Sequence, residues 1–362
     1  MTTVTTRSPS PRATGRTKRP ASDGGIGRYI LIRFLLIIPT IFILVSMVFW
    51  LMRTTGDPIT AALGGRLGPE QLAERIQAAG YDRPIFVQYV EYLGQIFTGN
   101  FGTTISTNRP VSEVLLTYGV ATAELVFYAL LVAFIVGIPL GMVAAYWRDK
   151  PTDASLRVFA ILCYATPVFF SGLLFKLVFA VWLDVLPVSG RASTSSELQM
   201  QLLPYSTGFY TIDAIMTGNP EVLADVLEHA ILPALALGLL TAGVFLRLVR
   251  TNVIGTLGTD YVDAARSRGV SEFRLVRKHA YRPALIPIIT VIGLQIALLL
   301  GGAVLTETTF EWKGLGFMLS EFLKARDFVA VQGIVALLAV IVALTNFIVD
   351  IIAALIDPRV RY

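Results

Sequence analysis

Residues 259–283 read TDYVDAARSRGVSEFRLVRKHAYRP. They lie between two long apolar runs, as the only long polar stretch in the second half of the chain that is both basic and helix-patterned. Thr259 or Asp260 is placed to cap a short helix whose last turn holds Arg266 and Arg268. Gly269 then falls where a helix C′ residue belongs, because glycine enters the left-handed conformation without a Cβ clash. Ser271 is placed to cap a second helix, with Glu272 in its first turn and Arg277 and Lys278 in its last, charges that suit the helix dipole at both ends. The segment reads helix, glycine break, helix. Val262, Gly269, Phe273 and Val276 fall along one side, interrupted by Arg266, and this partly apolar strip needs a cover. A solvated basic loop and a docking element both fit the pattern.

The composition sets the medium. The chain has 362 residues, 54% hydrophobic and 15% charged, with a mean hydropathy of +0.67. A soluble domain carries about 25% charged residues, so this is an integral membrane protein, and apolar runs of helix-crossing length predict an all-α one. The single Cys163 excludes an internal disulfide, and His229 and His279 lack a Cys or carboxylate cluster in sequence, which argues against zinc. The net charge of +5 is concentrated in particular loops, so it speaks to orientation and not to nucleic acid.

Residues 1–27 are polar and basic, and predict a disordered cytoplasmic tail; residues 28–362 predict the membrane domain. Six apolar runs predict spans at 29–52, 119–146, 156–183, 231–249, 284–306 and 328–356, each near or above the ~20 residues that cross a bilayer. The first run is too long for a signal-peptide core of ~7–15 residues. Pro39, Pro139, Pro167 and Pro287 lie in or near these spans and predict bends. The tail, the 147–157 loop, the loop at 253–283 and the C-terminus carry the lysines and arginines. The 184–230 loop holds six carboxylates against Arg191 alone. The positive-inside rule then puts both termini and residues 259–283 in the cytoplasm. Segment 53–118 predicts a small extracytoplasmic helical cap, with helices opening at Pro69 and over residues 87–97. The 184–230 loop fits either a partner- or substrate-facing surface or an ordered lid with a solvated charged face.

The sequence contains no GxxxxGK[ST] phosphate loop and no nucleophile–His arrangement in a plausible scaffold, so neither ATP binding by that route nor an enzyme is supported. Glu124, Lys176, Arg247 and Asp350 fall toward span ends, where snorkelling accounts for them. Glu124 and Lys176 lie at similar depth on consecutive spans, so a structural ion pair between them is a further expectation.

Asp263-Ala264-Ala265, three residues, then Gly269 resembles the EAA loop of ABC importer permeases, with Asp in place of Glu. His279-Ala280-Tyr281-Arg282 narrows the resemblance to the oligopeptide/dipeptide/nickel branch. The likeness runs nearly end to end, through Gly56-Asp57-Pro58, Asp82-Arg83-Pro84, Gly137-Ile138-Pro139-Leu140-Gly141, Leu232-Pro233-Ala234, Gly314-Leu315-Gly316, Arg326-Asp327 and the closing Asp357-Pro358-Arg359. It is similar to the B-type permease subunit; Lys313, Pro283, the long N-tail and the 184–230 loop depart from the pattern.

The resemblance implies a type I ABC importer permease fold in the cytoplasmic membrane, paired with a second homologous permease, two ATPase subunits that carry ATP and Mg, and an extracytoplasmic binding protein. It implies that Asp263, Ala264, Ala265, Arg266, Gly269 and Phe273 couple to an ATPase, with Arg266 pairing an acidic residue there. It also implies that span five, with Gln295, Leu298, Leu299 and Leu300, lines the pathway. Peptides are the implied cargo, with nickel chelates or glutathione as alternatives in the same branch. An ion-coupled secondary transporter is the competing class, and would normally bury ionisable residues in mid-membrane.

Overall fold

The structure, a computed structural model, describes residues 26–54 and 56–356. The tail expected at 1–27 lies outside the described residues except for its last two positions, and the closing run 357–362 lies outside them. Five helices are long and apolar enough to cross a membrane, and a bent pair supplies a sixth crossing if counted as one. One end of the bundle carries residues 258–280 and is called the basic end; the opposite, cap end carries residues 56–110 and 183–219.

Span one (Ile26–Arg53) packs along span six (Phe328–Ile356), and Arg33 pairs with Asp350 at 3.1 Å across that seam. Asp350 is thus paired and not merely snorkelling. Span two begins at Val111, earlier than its hydropathy predicts, and runs to Tyr146. A wide π turn at Ala133–Gly137 precedes Pro139, whose ring and missing N–H disrupt an ordinary helical turn.

Span four (Pro220–Leu257) is the axis of the bundle. It extends well beyond the predicted 231–249 at both ends, and Asn219 caps its first turn by accepting from the Glu221 N–H. Gly137 and Gly141 let span two cross it closely. A Cβ at Gly137 would lie 2.7 Å from the Ala242 carbonyl oxygen, and one at Gly141 2.8 Å from that of Leu246. Lipid tails are as apolar as leucine, so helices in a bilayer associate through such close packing at small residues spaced by four. Beside the crossing, Phe134 stacks on Phe245 at 5.3 Å.

The third crossing differs from its prediction. Helix Pro151–Ala165 stops at Thr166, and the chain resumes over Val168–Trp182 after a 104° bend. Pro167 has no N–H and forces Thr166 into an extended conformation with ψ 127°. The Thr166 hydroxyl donates back to the Leu162 carbonyl at 2.6 Å. At the basic end, fully buried Asp153 takes two hydrogen bonds from Arg250, at 2.5 and 2.7 Å, tying this crossing to span four.

The cap contains the expected helices, Pro69–Ala78 and Ile85–Phe97, with a short helix Pro58–Leu63 before them. Asp57 caps that first helix through the Thr60 N–H at 2.7 Å. Buried Asp327 opens span six and accepts from both the backbone and the hydroxyl of Ser106 at 2.8 Å, pinning the 103–110 turn.

The 184–230 loop folds onto the bundle. Its helices are Thr194–Gln201 and Tyr210–Thr217. Asp213, expected on a solvated face, is buried and accepts from Ser206, Thr207 and Gly208. Burial opposes its ionisation, but those hydrogen bonds outweigh it and hold the carboxyl below its ordinary value.

Candidate coupling site and pathway helix

Span four ends at Leu257, and Gly258 and Thr259 lead into the short helix Asp260–Ser267. Gly269 follows with φ +83° and nothing within 4 Å of a built Cβ, so its role is conformational. Val262 is fully buried, packed with Val253, Leu257, Leu275 and Val276 in the core of the basic end. That packing corrects the expected apolar strip. Val262 and Val276 turn inward and are covered by the chain itself, whereas Phe273 (59% exposed) and Tyr261 (48% exposed) stay outside.

The second helix also differs. Glu272–Arg274 runs into a π turn at Leu275–Ala280 and on into span five, Tyr281–Phe310. Arg277 and Lys278 therefore sit in mid-helix and not in a last turn. The Tyr261 hydroxyl donates to the His279 carbonyl at 3.1 Å, clamping the short helix to this continuation.

Arg266, expected to reach a partner, is engaged within the chain. It donates to Asp263 and to Glu272, the latter at 2.6 Å. The Arg266 bond holds the Glu272 carboxyl below its ordinary range. These groups, with Tyr146, Arg148 and Val276, border a polar cavity of about 440 Å³ beneath the short helix. Phe273 meets Tyr146 edge-on at 6.1 Å. Ala264 lies exposed on the helix, Asp263 is largely exposed, and Ala265 is half-buried against the core. The result is a rigidly seated helix with a small-residue, aromatic outer surface.

On span five the four expected pathway residues do not share a face. Gln295, Leu299 and Leu300 are buried inside the chain, and Leu299 and Leu300 pack with Leu125, Val126 and Ala129 of span two. Successive helical residues diverge by about 100°, so three adjacent leucines do not form one surface. Leu298 is exposed, and Leu294, Gly301 and Leu305 continue its stripe at helical spacing.

The Glu124–Lys176 pair is absent. The Lys176 ammonium donates to the Thr309 carbonyl at 2.8 Å and lies over the Phe310 ring, because the break at Pro167 swings its segment toward span five. Glu124 is buried and bonded to Arg191 at 2.5 Å, with the Thr211 N–H and hydroxyl donating at 2.9 and 2.5 Å. Arg191 in turn stacks on Tyr210 at 3.6 Å and donates to the Gly208 carbonyl. Glu307 is a further buried carboxylate, absent from the sequence expectations because it lies just past the apolar run of span five. It accepts from the Thr122 hydroxyl at 2.6 Å and from the Phe317 N–H at 2.9 Å, while the Trp312 indole donates to the Ala121 carbonyl. The stretch through Gly314-Leu315-Gly316 carried the signal for this knot.

Five helices long and apolar enough to cross a membrane, with the bent pair as a sixth crossing, make this a multi-pass membrane protein. The matches to known families agree: "Binding-prot-dependent transport system membrane comp, N-term" covers residues 26–140, and "Binding-protein-dependent transport system inner membrane component" covers 137–362. The chain belongs to this family, and is an ABC importer permease subunit of the inner membrane, not itself an enzyme. Members of such systems work with ATPase and binding-protein subunits. It is 38% identical over 336 residues to the di/tripeptide transport system permease protein DppB of Pseudomonas aeruginosa, covering 92% of this chain and 98% of that one. It is 36% identical over 340 residues to the dipeptide transport system permease protein DppB of Escherichia coli K12 (92% and 99%), and 33% identical over 335 residues to the glutathione transport system permease protein GsiC of Salmonella choleraesuis (92% and 99%). The solved inward-facing methionine ABC transporter MetNI is similar with a TM-score of 0.49 at 16% identity, over 67% of this chain and 96% of that one.

Proposed function

We propose that this chain is the B-type permease of an ATP-driven peptide importer, with di- or oligopeptides as cargo. The basic end, with helix Asp260–Ser267, faces the cytoplasm, as do both termini; the cap end faces the other side, where a binding protein delivers the peptide. A second, homologous permease completes the pathway, and two ATPase subunits bind ATP and Mg. The observation that carries the reading is the seating of the short helix. Val262 locks it to the bundle while Tyr261, Ala264 and Phe273 remain outside, so a partner that grips the outer surface moves the spans and not just a loop. Asp263, Ala265, Arg266 and Gly269 shape and stiffen that element; Arg266 acts through Asp263 and Glu272 and not through the partner. Along span five, the exposed stripe of Leu294, Leu298, Gly301 and Leu305 faces the second permease and the pathway, where an apolar constriction restrains water and ions. Gln295, Leu299 and Leu300 hold that helix in place from behind.

Uptake of a labelled dipeptide by cells that carry this chain with its partner subunits tests the assignment. Uptake should require the ATPase phosphate-loop lysine and be lost in Phe273→Asp. Accumulation of glutathione or nickel with no dipeptide would move the cargo to the alternatives, for which the glutathione relative speaks. Transport indifferent to the ATPase would refute the importer reading. On a Cys163→Ser background, cysteines at 294, 298 and 305 should react with a polar thiol reagent in a nucleotide-dependent way; uniform protection would remove the pathway assignment.

A further inference from the structure

The cap helix Ile85–Phe97 has three faces, set by the turn of about 100° between successive helical residues. Tyr89 and Tyr92 pack on span one, each ring 5.3 Å from that of Phe49, and the Tyr89 hydroxyl meets the Ser46 hydroxyl at 2.6 Å. Gln88, Glu91 and Gln95 border a cavity at the cap end together with Arg53, the last residue of span one. Phe86, Val90, Leu93 and Phe97 recur at helical spacing and form one apolar stripe. Phe86 is 70% exposed, Val90 66% and Phe97 81%, with Leu93 half-buried between them. Large apolar side chains exposed in a row and rimmed by polar ones mark an interaction surface.

Span one supplies the depth of that surface. Residues 34–52 carry no charge between Arg33 and Arg53. At ~1.5 Å per residue they reach about 28 Å, close to the ~30 Å of a hydrocarbon core. Arg53 thus marks the polar boundary at the cap end, with Trp50 roughly 5 Å and Ser46 roughly 10 Å inside it. Tyr89, which reaches Ser46, lies on the helix circumference between the face on span one and the apolar stripe. The polar face keeps to the level of Arg53. The stripe is therefore the side of the helix turned toward the membrane interior. Its first ring, Phe86, meets Trp50 edge-on at 5.8 Å. Trp50 stands on the exposed face of span one, with exposed Met47 and Ile43 one and two turns below it, so the stripe continues a surface that already faces lipid. Tryptophan is itself enriched at the membrane–water interface.

We propose that helix Ile85–Phe97 is an interfacial helix seated in the leaflet at the cap end. Phe86, Val90, Leu93 and Phe97 lie among the lipid glycerol and upper acyl groups, and Gln88, Glu91 and Gln95 turn toward water. Helices of this kind bury their apolar side about 5–10 Å into the headgroup–acyl boundary, the depth at which Tyr89 and Phe86 meet span one. Below the level of Arg53 the neighbour is lipid and not a water-borne partner. The cap is then held to the bilayer as well as to the bundle.

Spin labels on single cysteines test this in the full-length chain, assembled with partner subunits free of reactive cysteines in lipid vesicles. Phe86→Cys, Val90→Cys, Phe97→Cys, Glu91→Cys and Gln95→Cys are each made on a Cys163→Ser background. Power-saturation electron paramagnetic resonance compares collisions with oxygen, which concentrates in lipid, and with a water-soluble chromium oxalate complex. The oxygen-to-chromium ratio at 86, 90 and 97 should exceed that at 91 and 95 several-fold. Val90→Cys and Phe97→Cys report even if Phe86→Cys, which loses the Trp50 contact, folds poorly. Chromium access at 90 and 97 equal to that at 95 would mean a solvated stripe and overturn the proposal. Low collision with both reagents at 90 and 97 would mean that a protein partner covers the stripe, and would overturn it equally.

Discussion

Replacing Glu124 by glutamine removes the charge that joins the 184–230 loop to span two. The carboxylate is 2% exposed and accepts from Arg191, from the Thr211 N–H and hydroxyl, and at 3.4 Å from the Tyr210 N–H. Breaking a buried ion pair by removing one partner costs about 3–5 kcal/mol, because the other charge stays buried and uncompensated. Arg191 keeps the Gly208 carbonyl and the Tyr210 ring, so Glu124→Gln should fall near the lower end, about 3 kcal/mol. Arg191→Met leaves a carboxylate with three protein donors and no countercharge, and should cost a similar amount. The double variant should cost less than the sum of the two singles by about 1 kcal/mol or more, since neither charge is then stranded. Reversible denaturation in detergent or nanodiscs gives the three values, and limited proteolysis of residues 194–208 reports whether the loop has come away. The same cycle on Glu124→Gln with Lys176→Met should be additive within ~0.5 kcal/mol. Additivity for Glu124 with Arg191, or coupling of Glu124 with Lys176, would refute the reasoning.

Gly269→Val forces a β-branched residue to φ +83°, a strain of about 1–3 kcal/mol; dipeptide uptake should be lost with membrane insertion intact, and Gly269→Asn should retain part of it, since asparagine visits that conformation. Gly141→Leu drives a side chain into span four and should destabilise the bundle by about 1–3 kcal/mol or more, whereas Gly255→Ala, with open space around its Cβ, should be neutral or stabilising; thermal melts separate the two. The folded-state pKa of Asp213 lies below its ordinary 3.8. Its contribution is therefore complete above that value and lost as pH falls through the folded pKa. Protease resistance of the 184–230 loop should drop there in the wild type, while Asp213→Asn should be weakened already at neutral pH and show less of that pH dependence.

Local rules carried much of the fold into the sequence. Gly269, Asp57 and Pro69 stand where caps and turns need them, and long apolar runs mark the spans because lipid leaves backbone groups no other partner. Gly137 and Gly141 carry their crossing openly in their spacing. What stayed hidden depends on distant contacts. Pro167 announces a bend, but its 104° size is set by what the two halves pack against. Arg191 lies 67 residues from Glu124 and reads locally as one loop charge among carboxylates. Lys176 has a carbonyl for a partner, which no charge pattern registers. Leu299 and Leu300 are as apolar in sequence as Leu298 and Leu294; only the position of span two decides which of them faces inward. At the candidate coupling site the residue types were legible, whereas the engagement of Arg266 inside the chain and the burial of Val262 required the neighbouring helices.

The unbroken helical path from Glu272 through Phe310 has a mechanical corollary. Val276, Ala280 and Ala284 bury its lower part in the bundle; under the proposed coupling they make a pivot, with the short helix Asp260–Ser267 on a short arm and Leu305 on a long one. At ~1.5 Å per residue, Leu305 lies roughly 35–40 Å beyond that pivot. A rotation of ~5° there displaces Leu305 by about 3 Å, while the short helix, on the order of 10 Å away, moves by about 1 Å. For a helix that moves as one rod the gain grows with its length, so lengthening or shortening the stretch between Pro287 and Leu305 changes the displacement at the cap end without touching the short helix Asp260–Ser267.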